Sequence, residues 1–172
     1  VELLTDGVAT IDDCVFQSNT AAHGGGIRAH WTLTTSVVTS CSFVGNEVTM
    51  FGGGVSVNMP GSLEIRDCVF DDQLAVEGGG AIAVQDGANV LVRDCSMINA
   101  SIPSGHGGGV FVEEGASADV ARCSIIDNSA LVGGGVAVRD ATNVFFTHVR
   151  IVSNGTTIGG GGVNVSTGSA VT

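Results

Sequence analysis

Five cysteines stand at Cys14, Cys41, Cys68, Cys95 and Cys123, spaced by 27, 27, 27 and 28 residues, and Val149 takes the next place in the series. Self-similarity at a fixed period of this length marks a stacked-repeat architecture and constrains the fold more than any local motif. Other positions keep the same step. Two residues after the cysteine position come Phe16, Phe43, Phe70, Met97, Ile125 and Ile151. Three further on come Asn19, Asn46, Gln73, Ala100, Asn128 and Asn154. Each unit then carries a glycine cluster: 24–26, 52–54, 78–80, 107–109, 133–135 and 159–162. An apolar-x-apolar triplet follows: Ile27/Ala29, Val55/Val57, Ile82/Val84, Val110/Val112, Val136/Val138 and Val163/Val165.

Within a unit the apolar residues alternate instead of following helical spacing. Val55-x-Val57, Leu63-x-Ile65 and Cys68-x-Phe70 each put two side chains on one face of a short strand. The middle pairs in the other units are Ala9/Ile11, Ser36/Val38, Val90/Val92, Ala118/Val120 and Val144/Phe146. Three short strands per repeat are expected. With no helix and no hairpin dipeptides, each repeat closes into a coil that stacks on the next. The predicted fold is all-β: a right-handed parallel β-helix of about six coils over 1–172, with successive coils ~4.8 Å apart.

Each column has a structural reading. Glycine reaches positive φ and lets coils approach at a corner, whereas a phosphate cradle needs a helix after the glycines. Stacked amides at Asn19, Asn46, Gln73, Asn128 and Asn154 form a hydrogen-bonded ladder that Ala100 interrupts. The ladder points Asn154 inward, against its glycosylation sequon Asn154-Gly155-Thr156. Asn99-Ala100-Ser101 and Asn164-Val165-Ser166 are further sequon matches. Cys14, Cys41, Cys68, Cys95 and Cys123 read as a core column of small hydrophobes. Disulfides between coils are the alternative, although side-by-side Cβ vectors fit the dihedral poorly. Asp13, Asp67 and Asp94 precede their cysteines as solvated turn residues, with Arg66 and Arg93 placed to relieve the repulsion; a weak calcium site is the alternative.

Candidate chemistry is sparse. Polysaccharide-cleaving β-helices need carboxylates clustered on one open face. Asp12-Asp13, Asp71-Asp72 and Gly105-His106-Gly107 resemble elements of polygalacturonase-type glycosidases. No Asn-Thr-Asp or Arg-Ile-Lys element accompanies them. His23 and His106 share a column three coils apart, and His30 and His148 show no partner. Asp71, Asp72, Glu113 and Glu114 read as solubilising charge. Thr32, Thr34 and Thr35 fall in one coil, without the flat threonine columns an ice-binding face needs. Val37, Leu91, Phe111 and Phe145 are outward apolar residues suited to lateral contact. A formal charge of −11, with six arginines and no lysine, disfavours nucleic acid and anionic membrane as partners. No apolar run is long enough to span a bilayer. No catalytic, metal or cofactor residue is assigned.

The units Cys68-Val69-Phe70 to Gly79-Gly80-Ala81-Ile82, and Phe16-x-x-Asn19 to Gly24-Gly25-Gly26-Ile27, resemble the Gly-Gly-Ala-Ile and Phe-x-x-Asn repeats of the chlamydial polymorphic outer-membrane proteins. The resemblance spans nearly the whole chain; Gln73, Ala100 and the loss of Phe in the last three coils depart from it. It implies a surface-exposed passenger region, adhesion and self-association. The expectation is therefore an extracellular or cell-surface rod, outer-membrane associated and without catalysis. Its expected partners are itself, the rest of a larger surface protein, or glycans. A polysaccharide-binding or polysaccharide-cleaving β-helix is the alternative. The bare first and last coils suggest a segment of a longer array or a filament subunit.

Overall fold

In the computed structural model, which describes residues 1–4, 7–30, 35–166 and 168–172, the strands pair only in parallel. They form four sheets, and each strand is bonded to those one repeat before and after it. The strands after the glycine clusters, such as Ile27–His30, Val55–Asn58 and Val110–Glu113, make sheet A. The middle pairs make sheet B, as in Ser62–Arg66 and Ser117–Ala121. The strands after the cysteines make sheet C, as in Val69–Asp71.

The expected three strands per repeat become four. Sheet D runs through Thr20–His23, Glu47–Phe51, Leu74–Ala75, Ser101–His106, Ser129–Val132 and Gly155–Ile158. Four of its six strands bury one apolar side chain each, Val48, Ala75, Ile102 and Ala130, with the half-buried Ala21 beside them in a separate minor core. One inward residue gives no alternation to read.

The columns stack in register. Phe16, Phe43 and Phe70 lie face to face, with centroids 4.8 and 4.6 Å apart. Met97, Ile125 and Ile151 continue the same ladder. All five cysteines are free thiols, buried except for the half-buried Cys14. Each donates to the carbonyl two residues back, at 3.0–3.2 Å. Hydrogen bonds with Cys123 and Cys68 push the Cys95 thiol up, and burial does the same for Cys41.

The amides form a hydrogen-bonded chain. Asn19 donates to Asn46 at 2.8 Å and Asn46 to Gln73 at 3.0 Å. Ala100 supplies its backbone N–H to Asn128 Oδ1 at 2.9 Å, so the interruption costs no acceptor. Asn128 in turn donates to Asn154 Oδ1 and Met97 O, each at 3.0 Å. Asn154 Nδ2 points inward to Ile125 O at 2.8 Å. Asn128→Ala leaves the buried Ala100 N–H without its acceptor and takes one donor from the Met97 carbonyl, and is expected to cost about 2 kcal/mol. The check is a lower urea midpoint at unchanged slope.

Four corners close each coil, and each needs left-handed backbone. Asp13, Ser40, Asp67, Asp94, Arg122 and His148 all have φ of 52–55°. Asp tolerates that region, which gives the Asp column its reason. Arg93 does stabilise the Asp94 charge from a distance, after Arg122, but neither Arg66 nor Arg93 forms its ion pair with the Asp column. Arg93 pairs with Asp119 and Arg66 with Glu64; Arg122, which interrupts the column, pairs with Asp94 at 2.6 Å. At the glycine corner Gly52 has φ +70°, and a Cβ on Gly53 would lie 2.5 Å from Gly80 O. The third cluster sits one residue off its expected place. Gly78 pairs with Phe51 and His106, so Gly79-Gly80-Ala81 take the corner. Thr32 and Thr34 lie outside the described residues; Thr35 is exposed and shares a hydrogen bond with Ser62.

Candidate functional site

Strand alternation sends Val55 and Val57 into the core and Ser56 and Asn58 outward from sheet A. An outward face on a rod is ordinarily solvated. Here it is buried: Ser56, Ala83, Gln85, Phe111, Glu113 and Ala137 are all buried, and Asn58 is 6% exposed. Phe111, expected as an exposed contact residue, is 0% exposed, whereas Phe145 on sheet B is exposed.

Part of the cover comes from rings at the ends of the sheet D strands. His23 stacks on Phe51 at 5.9 Å, Phe51 on Phe111 at 6.1 Å and His106 on Phe111 at 5.4 Å. Phe51 and Phe111 lie two coils apart and meet because the residue between them is Gly78. A Cβ there would fall 2.5 Å from Phe111 Cδ1. The Arg139 guanidinium sits 5.5 Å from the centre of the same ring.

A bulge shapes the middle of this face. Ile102 pairs with Ala130 but His106 pairs with Val132, so Pro103, Ser104 and Gly105 span a register shift. Bulges re-aim side chains in this way. The result is a cleft of about 220 Å³ lined by Phe51, Glu77, Ser104, Gly105, His106 and Arg139.

Glu113, expected to be a solubilising charge, is 1% exposed beneath the cleft. Gln85 Nε2 donates to it at 2.7 Å, and Arg139 Nη2 forms a short ion pair with its other oxygen. Such a charge is tolerated in the dry only because it is paired and hydrogen-bonded. Arg139 Nη1 lies 3.4 Å from His106 Nε2. Burial, with Arg139 adding to it, holds His106 below the usual imidazole range, and burial with Arg28 does the same to His23. At the corner after the sheet A strands, the hydrogen bond with Asp86 one coil away raises the Glu114 carboxyl.

The half of the face nearer the first coil is less satisfied. Arg28 pairs with Ser56 in register and His30 with Asn58. Arg28 Nε, His30 Nδ1, Ser56 Oγ, Asn58 Oδ1 and His23 Nδ1 are all buried without a hydrogen-bond partner among the described residues. His30 does have one neighbour the sequence did not reveal: its Nε2 is 3.4 Å from Glu2. Buried polar groups are nearly always paired, so five on or beside one face call for a physical reason.

The Asp pairs are not brought together: Asp12 ends a sheet B strand, Asp71 ends a sheet C strand and Asp72 sits at the next corner. His23 and His106 share one column through Phe51 and Gly78, three coils apart. His148 is an exposed corner residue. One signal did mark the site, the 28-residue step from Cys95 to Cys123, which records the extra residue of the bulged coil.

With its parallel coils and its period established, the whole chain, residues 1–172, matches the family model described as the right-handed β-helix region. The chain belongs to the right-handed β-helix family. A search of curated proteins and one of solved structures each found no match. The β-helix family includes pectate lyase-like enzymes and non-enzymes alike. The β-helix by itself therefore carries no activity, and function has to be argued from the sheet A face.

Proposed function

We propose that this β-helix is a rigid, non-catalytic rod of an extracellular or cell-surface protein, and that the outer face of sheet A is its adhesive surface for a glycan. The observation that carries this is the row of buried polar atoms without partners among the described residues, Ser56 Oγ, Asn58 Oδ1, Arg28 Nε and His30 Nδ1 on that face and His23 Nδ1 at its edge. Donors and acceptors in a row along the half of the face nearer the first coil, with the ring-walled cleft farther along it, suit a polyhydroxylated chain, whose hydroxyls both donate and accept. Equivalent positions recur every ~4.8 Å along the axis, so an extended polymer lying along the rod meets several coils at once. Stiffness comes from the four continuous ladders, which hold the face flat over successive coils.

The test is binding to an immobilised panel of neutral and acidic polysaccharides, with Asn58→Leu as the site variant and Phe145→Ser, on sheet B, as the control. Expected is retention of at least one polysaccharide, weakened about tenfold or more by Asn58→Leu and unchanged by the control. No retention of any member removes the glycan reading. Release of shortened product over time removes the non-catalytic one.

A further inference from the structure

The charge around the bulge cleft is one-sided. Glu77 lines the cleft, and the buried Glu113 is paired with the lining residue Arg139; Asp86 and Glu114 stand farther off, at the corner after the sheet A strands. Glu114 is raised by its hydrogen bond with Asp86, the sign of carboxylates crowded without enough cation. Among the described residues lining the cleft, Arg139 is the one fixed cation, and it is committed. One nitrogen holds Glu113, another faces His106, and its plane lies against Phe111. His106 cannot make up the difference, because burial and Arg139 both favour its neutral form. The ring faces are used as well. His23, Phe51, Phe111 and His106 stack on one another along the axis at 5.4–6.1 Å, leaving ring edges toward the cleft.

What remains open to a ligand is an acceptor carboxylate on Glu77, the His106 imidazole, the hydroxyl of Ser104 and the edge of Phe51. Hydroxyl groups meet this set well, since O–H donation to a carboxylate is a charge-assisted bond. Among the described residues lining the cleft, a ligand carboxylate finds no uncommitted cation and meets the exposed Glu77 carboxylate, with Glu113 behind Arg139, in a chain of net charge −11. We infer that the cleft formed by Phe51, Glu77, His106 and Arg139 seats an uncharged sugar residue and turns away uronate-bearing chains. This rests on the glycan-binding reading and adds the class of sugar to it.

The experiment compares each acidic polysaccharide of the panel with the same polymer after its carboxyls are reduced to alcohols. The reduced form keeps the linkage and gains only neutral hydroxymethyl groups. Expected is at least one reduced form binding about tenfold tighter than its parent. The gap should narrow as salt is raised. Glu77→Gln, an exposed residue whose variant keeps the wild-type melt, should narrow it to about threefold or less by admitting the acidic form. Parents that bind as tightly as their reduced forms, or tighter, overturn the inference while leaving the glycan reading in place. A gap that Glu77→Gln does not move also overturns it, by placing the discrimination outside the cleft. Failure of every polymer, acidic or reduced, sinks the glycan reading itself.

Discussion

Val120→Asp is expected to abolish the fold. Val120 is fully buried in sheet B, paired with Val92 in one neighbouring coil and Phe146 in the other. An aspartate side chain there enters a cluster of Val, Ile, Ala and Cys with no cation or free donor to receive it. Burying an unpaired carboxyl costs several kcal/mol even after it takes up a proton, and domains of this size hold only about 5–15 kcal/mol in reserve. The repeat architecture makes the damage worse. Each coil is supported mainly by its neighbours, so a break at the fifth of the six sheet B strands removes support from the coils on both sides of it. Far-UV circular dichroism should lose its β signal and the melt its cooperativity. Val120→Ala, which leaves a cavity without a charge, should still fold and melt lower. An aspartate variant with a β spectrum and a wild-type melt would overturn the inward assignment of the whole column.

Which parts of this molecule a reader of the sequence could recover follows from how each part is encoded. The sheet A, B and C strands bury two side chains at period two, so Val55/Val57, Leu63/Ile65 and Cys68/Phe70 announce themselves and their register. Sheet D buries one, often an alanine, and leaves no alternation; its strands exist because the neighbouring coils pair with whatever lies there. The third glycine cluster misleads because Gly78-Gly79-Gly80-Ala81 offers two registers. The pairing of Gly78 with Phe51 and His106 decides between them, and Phe111 fills the space that a Cβ at Gly78 would take.

The site was hidden for a different reason. Alternation sorts residues into those facing the interior and those facing out, and Phe111 and Glu113 do face out. Their burial depends on Phe51 leaning across two coils, on a bulge that redirects His106 and on Arg139 reaching back from the next coil. Those are contacts between side chains some 25 to 60 residues apart, and no local pattern specifies them. The 28-residue step told where the coil was irregular but not which way the bulge would turn.

Arg139→Leu is the second change expected to have a large effect, and it measures what the buried network contributes. Removing one partner of a buried ion pair leaves an uncompensated charge, which costs more than the pair ever contributed. Glu113 is almost wholly buried, but Arg139 is 41% exposed, so some of the lost interaction is replaced by water reaching in from the cleft. The expected loss is about 2–3 kcal/mol, at the lower end for a buried pair. Glu113→Gln alone should cost about 1 kcal/mol, since the amide keeps the bond from Gln85 in one orientation and frees Arg139 to solvent. Combined, the two changes should recover at least half of the Arg139→Leu loss, because no buried charge is then left behind. Urea midpoints of the four proteins give the coupling directly. Simple additivity would mean that water already reaches Glu113 and that the network adds little to the face. If recovery is complete, the ion pair contributes nothing to stability that an uncharged pair could not. Its presence under the cleft would then need a reason outside folding, and the nearest is the polar surface it holds in place for a ligand.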